Sequence, residues 1–505
     1  MEDLKSLIKL ISKQKVKQIE ILTEDAVLSE KTKLLYEGIK ESRFNSDDEA
    51  SEFLYNEDSK NESFRKLKYR LKQRLINTLF FIDIQNYSKS NYEKALNRCY
   101  KNWAAYSILK QKGLKNASIN LIESTLKTSL KYNITNLSLF ILKDLKLHYS
   151  LFDSNNYKAL KYNKLYSEIR TVYDLEEESE FVYTWLVKYV ISSKAYTYNE
   201  EVENLEKQIY SLLKSSKNKD SYYLFFYLFN AAYLSNLIKK DVPEQLRICK
   251  EAIDYFSKKA EFGPLALFSF YQKKGLCLLQ MNNYDEALTI FNYCFNFKPK
   301  EGGLAWQYLH NYIFTTFFLI ENYEEAYKIV AKIISSRHFK DLHEIYKQPW
   351  YLKEAFCHFL FKVGRIEESI ISEVKMRQFR ISRFMNEISE FSKDKRGLNI
   401  TINIIQMLFL IVDQEYDKVL DKLAALKQYN FRYLKRPEYI RSSTFIKMLL
   451  KIPEGNYDPS VFQKKTQSLL KILEDNPIDY SEQSMNIEIL PYEVLWNELL
   501  HALKS

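Results

Sequence analysis

The sequence predicts an all-α protein built from paired helices, and three observations predict it. The 505 residues include only nine Gly and nine Pro, roughly a quarter to a third of the usual share. So few breakers favour long helices, and the scarcity of Gly argues against tight β-hairpins and phosphate-cradling loops. Apolar residues recur at the spacing of one helix face, as in Leu4, Leu7, Ile8 and Ile11 or Leu67, Leu71, Leu75 and Leu79. A third signal is a recurring short pattern: Asn283-Tyr284-Asp285-Glu286-Ala287 is echoed at Asn91 to Ala95, at Asn156 to Ala159 and at Tyr323 to Ala326.

Residues 1–88 read as a small helical N-terminal domain. After the first stripe, Lys31 to Ser42 makes a short helix carrying Leu34, Leu35 and Ile39. Ser46 with Glu49 three residues on is an N-terminal capping pattern, so a third helix should run through Phe53 and Leu54. A polar turn, Asn56 to Asn61, leads to a fourth helix from about Glu62 to Ile84. Its leucines are flanked by Arg65, Lys66, Lys68, Arg70, Lys72 and Arg74 with no acid between them. The stretch Leu54 to Leu75 resembles the recognition-helix region of bacterial helix-turn-helix activators. That resemblance implies a basic helix in the DNA groove, with Arg65, Lys66, Arg70 and Arg74 as contacts. The plainer reading is an amphipathic helix with its charges in solvent.

Residues 89–220 read as degenerate helical hairpins, with Trp103, Tyr106, Leu109 and Gly113 in one helix and Ile119, Leu121 and Leu126 in the next. The charged stretch Leu213 to Asp220 reads as a bend or a boundary. Residues 221–425 hold the clearest repeats. Tyr271 to Pro299 places Tyr271, Gly275, Ala287, Phe291 and Pro299 at the spacing of a tetratricopeptide repeat (TPR), a family that it resembles, and departs from the pattern at Lys274 and Leu278. The resemblance implies an α-solenoid of helical hairpins. Gly275 and Ala287 would let the two helices approach, Tyr284-Asp285-Glu286 would make the turn, and Pro299 would stop the second helix. Further pairs are expected at Trp306 to Ala326, Tyr351 to Ser369 and Ile400 to Val419. The small or turn-proximal positions Ala287, Ala326, Ser369 and Val419 lie about 39, 43 and 50 residues apart, longer than the family's ~34. Residues 426–505, broken by Pro437, Pro453, Pro459, Pro477 and Pro491, read as a C-terminal helical cap over the end of the array.

The formal charge of +10 is spread over 75 basic and 65 acidic residues, too even a balance to require a nucleic-acid partner. Cys99, Cys249, Cys277, Cys294 and Cys357 are an odd set without a CxxC pair and read as buried free thiols in a reducing compartment. Charges interrupt every apolar run near the N-terminus, so neither a signal core nor a membrane span is expected; the chain should be soluble and cytoplasmic. None of the six histidines forms an HExxH motif, and His338 and His343 fall on different faces of a helix. Glu176-Glu177-Glu178 reads as a solvated face. No catalytic set, metal or cofactor is expected.

Surfaces carry the functional expectation. In the TPR family the first helix of each repeat lines a groove, and the matching positions here are Gln272, Leu276 and Gln280, then Asn311 and Thr315, then Glu354 and His358. Such a mixture suits an extended peptide or a partner helix, without the Lys/Asn clamp that holds a terminal carboxylate in some family members. Two basic and aromatic clusters, Arg377, Arg380 and Arg383 beside Phe379 and Phe384, and Arg432, Lys435, Arg436 and Arg441 around Phe431, Tyr433 and Tyr439, are of the kind that binds phosphates while stacking bases. The expected function is a non-catalytic protein-binding scaffold or adaptor, with self-association left open. The alternatives are a regulator whose N-terminal helix binds nucleic acid while its solenoid senses a peptide or protein, and an accessory subunit of a partner enzyme.

Overall fold

A computed structural model describes residues 1–13, 30–81, 90–152, 156–192, 198–373, 379–381, 384, 398–436, 439–478, 480, 488 and 490–504. Among these residues there are 22 α-helices and no strand, so the all-α expectation holds. The helices pack largely against their neighbours in sequence. The chain divides into two compact units, residues 1–174 with 261–263 and residues 175–260 with 264–505, so one boundary falls inside a single long helix.

The first unit begins with α1 (Glu2–Lys13), α2 (Glu30–Lys40), α3 (Asp47–Tyr55) and α4 (Glu62–Leu79). Their apolar faces meet in one core that includes Leu4, Ile8, Leu35, Leu54, Phe64, Leu67, Leu71 and Leu75. The expected cap is present: Ser46 Oγ accepts from the Glu49 N–H at 3.1 Å, and the Glu49 carboxylate accepts from the Asn45 N–H at 2.6 Å. Asn56, at φ +57°, ends α3, and Asn61 Oδ1 accepts from the Phe64 N–H to start α4. The fourth helix stops five residues earlier than the expected Ile84, because the Phe80 and Phe81 N–H groups bond to carbonyls three residues back and tighten the chain into a turn. Then come α5 (Asn91–Gln111), α6 (Lys115–Lys131), α7 (Thr135–Leu151) and α8 (Asn156–Ser192), the last crossing the unit boundary. Cys99, Ile122, Leu126, Leu137, Ile141, Leu142 and Leu145 form their core.

The second unit continues through α9 (Glu200–Ser215), α10 (Tyr222–Lys239), α11 (Val242–Ser257), α12 (Leu265–Gln280), α13 (Tyr284–Tyr293), α14 (Leu304–Leu319), α15 (Tyr323–Ile334), α16 (Glu344–Lys362) and α17 (Glu368–Glu373). It ends with α18 (Leu398–Val412), α19 (Tyr416–Tyr433), α20 (Ile440–Glu454), α21 (Pro459–Asp475) and α22 (Tyr492–Lys504). The acidic run on α8 is partly engaged: Glu176 accepts from Ser221 and Glu178 from Gln208.

One turn recurs through both units. After the last helical residue and its cap comes a single left-handed residue, then the N-cap of the next helix. Gly113 (φ +76°), Asn133 (+48°), Asn282 (+58°), Glu321 (+57°) and Gln414 (+57°) hold the left-handed position. In each case the N-cap N–H donates to the carbonyl five residues back, as from Asn283 to Leu278, Asn322 to Phe317 and Glu415 to Leu410, which satisfies an orphan carbonyl at the helix end. The turn between α12 and α13 is therefore Met281 to Asn283, and Tyr284-Asp285-Glu286 form the first helical turn rather than the connection. The Asn91 echo is a different device, a helix start capped by Ser90 in extended conformation. Pro299 is likewise not the stop of α13. That helix gives way to a 3-10 turn at Cys294–Phe297, closed by Lys298 at φ +50°.

The close approach assigned to Gly275 is present. A Cβ there would lie 2.4 Å from Phe291 Cε1, and Phe291 and Ala287 are fully buried in the α12–α13 pair.

Candidate partner-binding surface

Gln280 is the last residue of α12 and is half-buried. Its Nε2 donates to the Ile478 carbonyl at 3.0 Å, and its Oε1 accepts from the Tyr480 N–H at 3.3 Å. One side-chain amide thus uses both its polar ends on the backbone of residues two apart, about 200 positions away in sequence. The Ile478 and Tyr480 side chains are buried in the cluster formed by Leu278, Leu279, Phe291, Leu309, Tyr312 and Ile313. Burial raises the Tyr480 hydroxyl above its ordinary pKa, so it stays neutral.

Two further contacts tie the C-terminal region to the array. Glu498 on α22 accepts from Arg365 Nε at 2.6 Å and Nη2 at 2.9 Å, and from the Tyr323 hydroxyl at 3.0 Å. Arg441 on α20 donates to both oxygens of Glu488, to Glu493, and to the carbonyls of Leu473 and Asn476. Burial opposes the charge on Arg441, but the hydrogen bonds to Glu488 and Glu493 outweigh it and push its pKa up. Burial raises Glu488 despite its guanidinium partner. The C-terminal 80 residues therefore reach back to α12, α15 and the turn after α16, and Arg441 is a buried strut rather than a member of a basic patch.

Among the groove residues read from the sequence, Gln272 and Asn311 are half-buried on α12 and α14. Leu276 packs against the core. Thr315 and Glu354 require correction: they are 4% and 1% exposed, and the Thr315 hydroxyl is used on the Asn311 carbonyl. His358 is also turned inward, stacked on Phe379 at 4.4 Å and edge-on to Tyr327 at 5.8 Å. Its Nε2 is buried without a hydrogen-bond partner, and burial lowers its pKa to about 4. These six positions do not line one open groove, because α14 and α16 each pack against helices on both sides and Thr315 and Glu354 are buried there.

Sequence reasoning missed Lys353. It is 2% exposed, forms no hydrogen bond or ion pair with any described residue, and sits 5.0 Å from the Trp350 ring and 5.6 Å from that of Phe314. Burial pulls its pKa to about 7. A lysine beside Glu354 in a helix of mixed polarity carries no sequence mark of whether it snorkels out or stays in.

The basic shoulders of α4 are partly neutralised within their own domain: Lys66 pairs with Glu62, Lys68 with Asp47 and Lys72 with Asp3. Arg65 and Arg70 are exposed and form no ion pair with a described residue, while Arg74 is half-buried. Arg432 and Arg436 are exposed on and just after α19, and Lys435 lies 3.7 Å over the exposed Phe431 ring. Tyr439, 1% exposed, joins Arg441 inside. Arg380 is exposed and Phe384 buried; Arg377 and Arg383 lie outside the described residues.

Among the described residues no His, Cys, Asp and Glu side chains cluster as metal ligands, all five cysteines are buried free thiols, and no helix is long and apolar enough to cross a membrane. The chain matches no family model, no curated protein and no solved structure.

Proposed function

We propose that this chain is a non-catalytic scaffold of tetratricopeptide-like hairpins that binds an extended segment of a protein partner at the α12–α14 surface. The supporting observation is the Gln280 amide, which grips the backbone at residues 478 and 480 while two side chains from that segment fill the apolar cluster beside it. Backbone hydrogen bonds supply affinity for extended chain, and pockets for alternate side chains supply selectivity. In this reading the C-terminal segment is a ligand held in cis, and a partner of the pattern apolar-x-aromatic competes with it.

The test is fluorescence anisotropy of a labelled peptide of residues 474–481 against the full-length chain. Weak binding is expected to the parent chain, binding at least tenfold tighter to Tyr480→Ala, whose own segment is loosened, and none to Gln280→Ala with Tyr480→Ala. A peptide that binds none of the three chains refutes the reading.

A second reading rests on the α3–α4 pair, in which a short helix, a polar turn and a basic helix leave Arg65 and Arg70 outward. This is a regulator that contacts nucleic acid through α4. It predicts saturable binding to duplex or single-stranded pools at low salt, falling steeply with added salt and lost in Arg70→Glu. No binding at low salt removes it.

A further inference from the structure

We propose that the face formed by α7 and the start of α8, within the first unit, is a docking surface for an acidic amphipathic helix of a partner protein. This surface is separate from the one around Gln280 and rests on different observations.

Along α7, Phe140, Leu147 and Leu151 share one stripe with Lys143, and Leu160 faces out from α8. These four apolar side chains are between 51% and 70% exposed. A single exposed Leu needs no explanation, but such a group in one place marks an interaction site. The stripe from Phe140 to Leu151 is ~16 Å long at the helical rise, about three turns, the length over which a docked helix presents anchors at i, i+3 or i+4, and i+7. Between the two helices lies a cavity of about 410 Å³ lined by Lys143, Lys146, Leu147, Ala159, Leu160 and Asn163. A concave slot of that size takes side-chain knobs.

Charge decides what kind of helix fits. Lys143 and Lys146 line this face and Lys161 and Lys164 are exposed on the same stretch of α8, and none of the four forms an ion pair with a described residue. Lys146 lies 3.9 Å over the Tyr166 ring. Two carboxylates of the neighbouring helices are already engaged: Asp144 accepts from Tyr106 at 2.6 Å and from Lys110 at 2.9 Å. Glu123 accepts from Tyr149, Tyr162 and Lys158. The face is therefore apolar with a lysine rim that no described carboxylate pairs, complementary to Leu or Phe anchors flanked by Asp or Glu. A second copy meeting it face to face would set lysine against lysine, which disfavours self-association here.

The test uses the full-length chain and a labelled 16-residue helical peptide with Leu at positions 1, 4, 8 and 11 and Glu on both flanks. Its counterparts are the same peptide with Lys for Glu, and vesicles of phosphatidylserine and phosphatidylcholine. The acidic peptide is expected to bind saturably and the basic peptide not to bind. Lys143→Glu with Lys146→Glu should weaken the acidic peptide at least tenfold and confer binding of the basic one. Leu160→Asp should abolish binding of the acidic peptide to the parent chain and of the basic peptide to the charge-swapped chain; circular dichroism checks that each variant stays helical. Equal binding of the two peptides, failure of the charge swap, vesicle binding without peptide binding, or a dimer broken by Leu160→Asp would each overturn the proposal.

Discussion

Replacing Gly275 with Ala tests the packing of the α12–α13 pair at its tightest point. The new Cβ would sit 2.4 Å from Phe291 Cε1 and 2.8 Å from Cδ1 and Cζ, against a carbon–carbon optimum of ~3.5–4 Å. Phe291 cannot swing aside, because it is fully buried and its ring meets Tyr312 at a centroid distance of 5.1 Å. Overpacking of this kind costs about 1–3 kcal/mol, and the better helix propensity of Ala offsets about 1 kcal/mol. A net loss of up to about 2 kcal/mol follows, a factor of up to about 30 in the local opening equilibrium. A chain of two units is not suited to a single global transition, so the assay is the native-state reaction rate of the buried thiols Cys277, on α12, and Cys294, in the 3-10 turn after α13, resolved by mass spectrometry. Both rates should rise by that factor in Gly275→Ala. Phe291→Leu in the same chain should relieve the clash, giving a coupling energy of about 1 kcal/mol or more between the two sites. Unchanged thiol rates, or strictly additive effects, would refute the close-approach account.

Lys353 titrates near 7 in the folded chain and near 10.4 when unfolded, so the unfolded state holds the extra proton between those values and stability rises with pH across that window. Lys353→Met should therefore stabilise its surroundings at pH 7 by an amount on the order of a few kcal/mol, an advantage over the parent chain that the native-state reaction rate of the buried Cys357 on the same helix shows shrinking toward pH 10. Burial lowers His310 and His358 to about 4, so stability falls as the pH drops from ~6.5 toward 4. Replacing either with Gln should flatten that slope, and an unaltered profile would count against the buried neutral rings. Arg441→Ala strands the buried Glu488 carboxylate and releases the Leu473 and Asn476 carbonyls. A loss of about 3–5 kcal/mol is expected, with new proteolytic cleavage near residue 478 as the readout.

The sequence by itself determined what is local. Scarce Gly and Pro and the three-to-four spacing of leucines announced the helices. Ser46 with Glu49 announced a cap, because it is decided within one turn of chain, and the repeat spacing of Gly275 and Ala287 announced a close approach of two consecutive helices. Even there the connection was misread by a few residues at Asn282, since left-handed backbone is tolerated by Asn, Glu and Gln as well as Gly and leaves only a weak mark. Tertiary structure alone decided which polar residues face solvent. Thr315, Glu354 and His358 sit at positions that read as an open groove, yet helices packed on both sides of α14 and α16 turn them inward. It also decided that residues 478 and 480 return to Gln280, that Glu498 meets Arg365, and that Arg441 is enclosed by acids rather than offered to phosphate. Those pairings join residues from about 50 to about 200 positions apart. No helical period or cap encodes them, because their free energy comes from desolvation and geometry that exist only once the helices have packed.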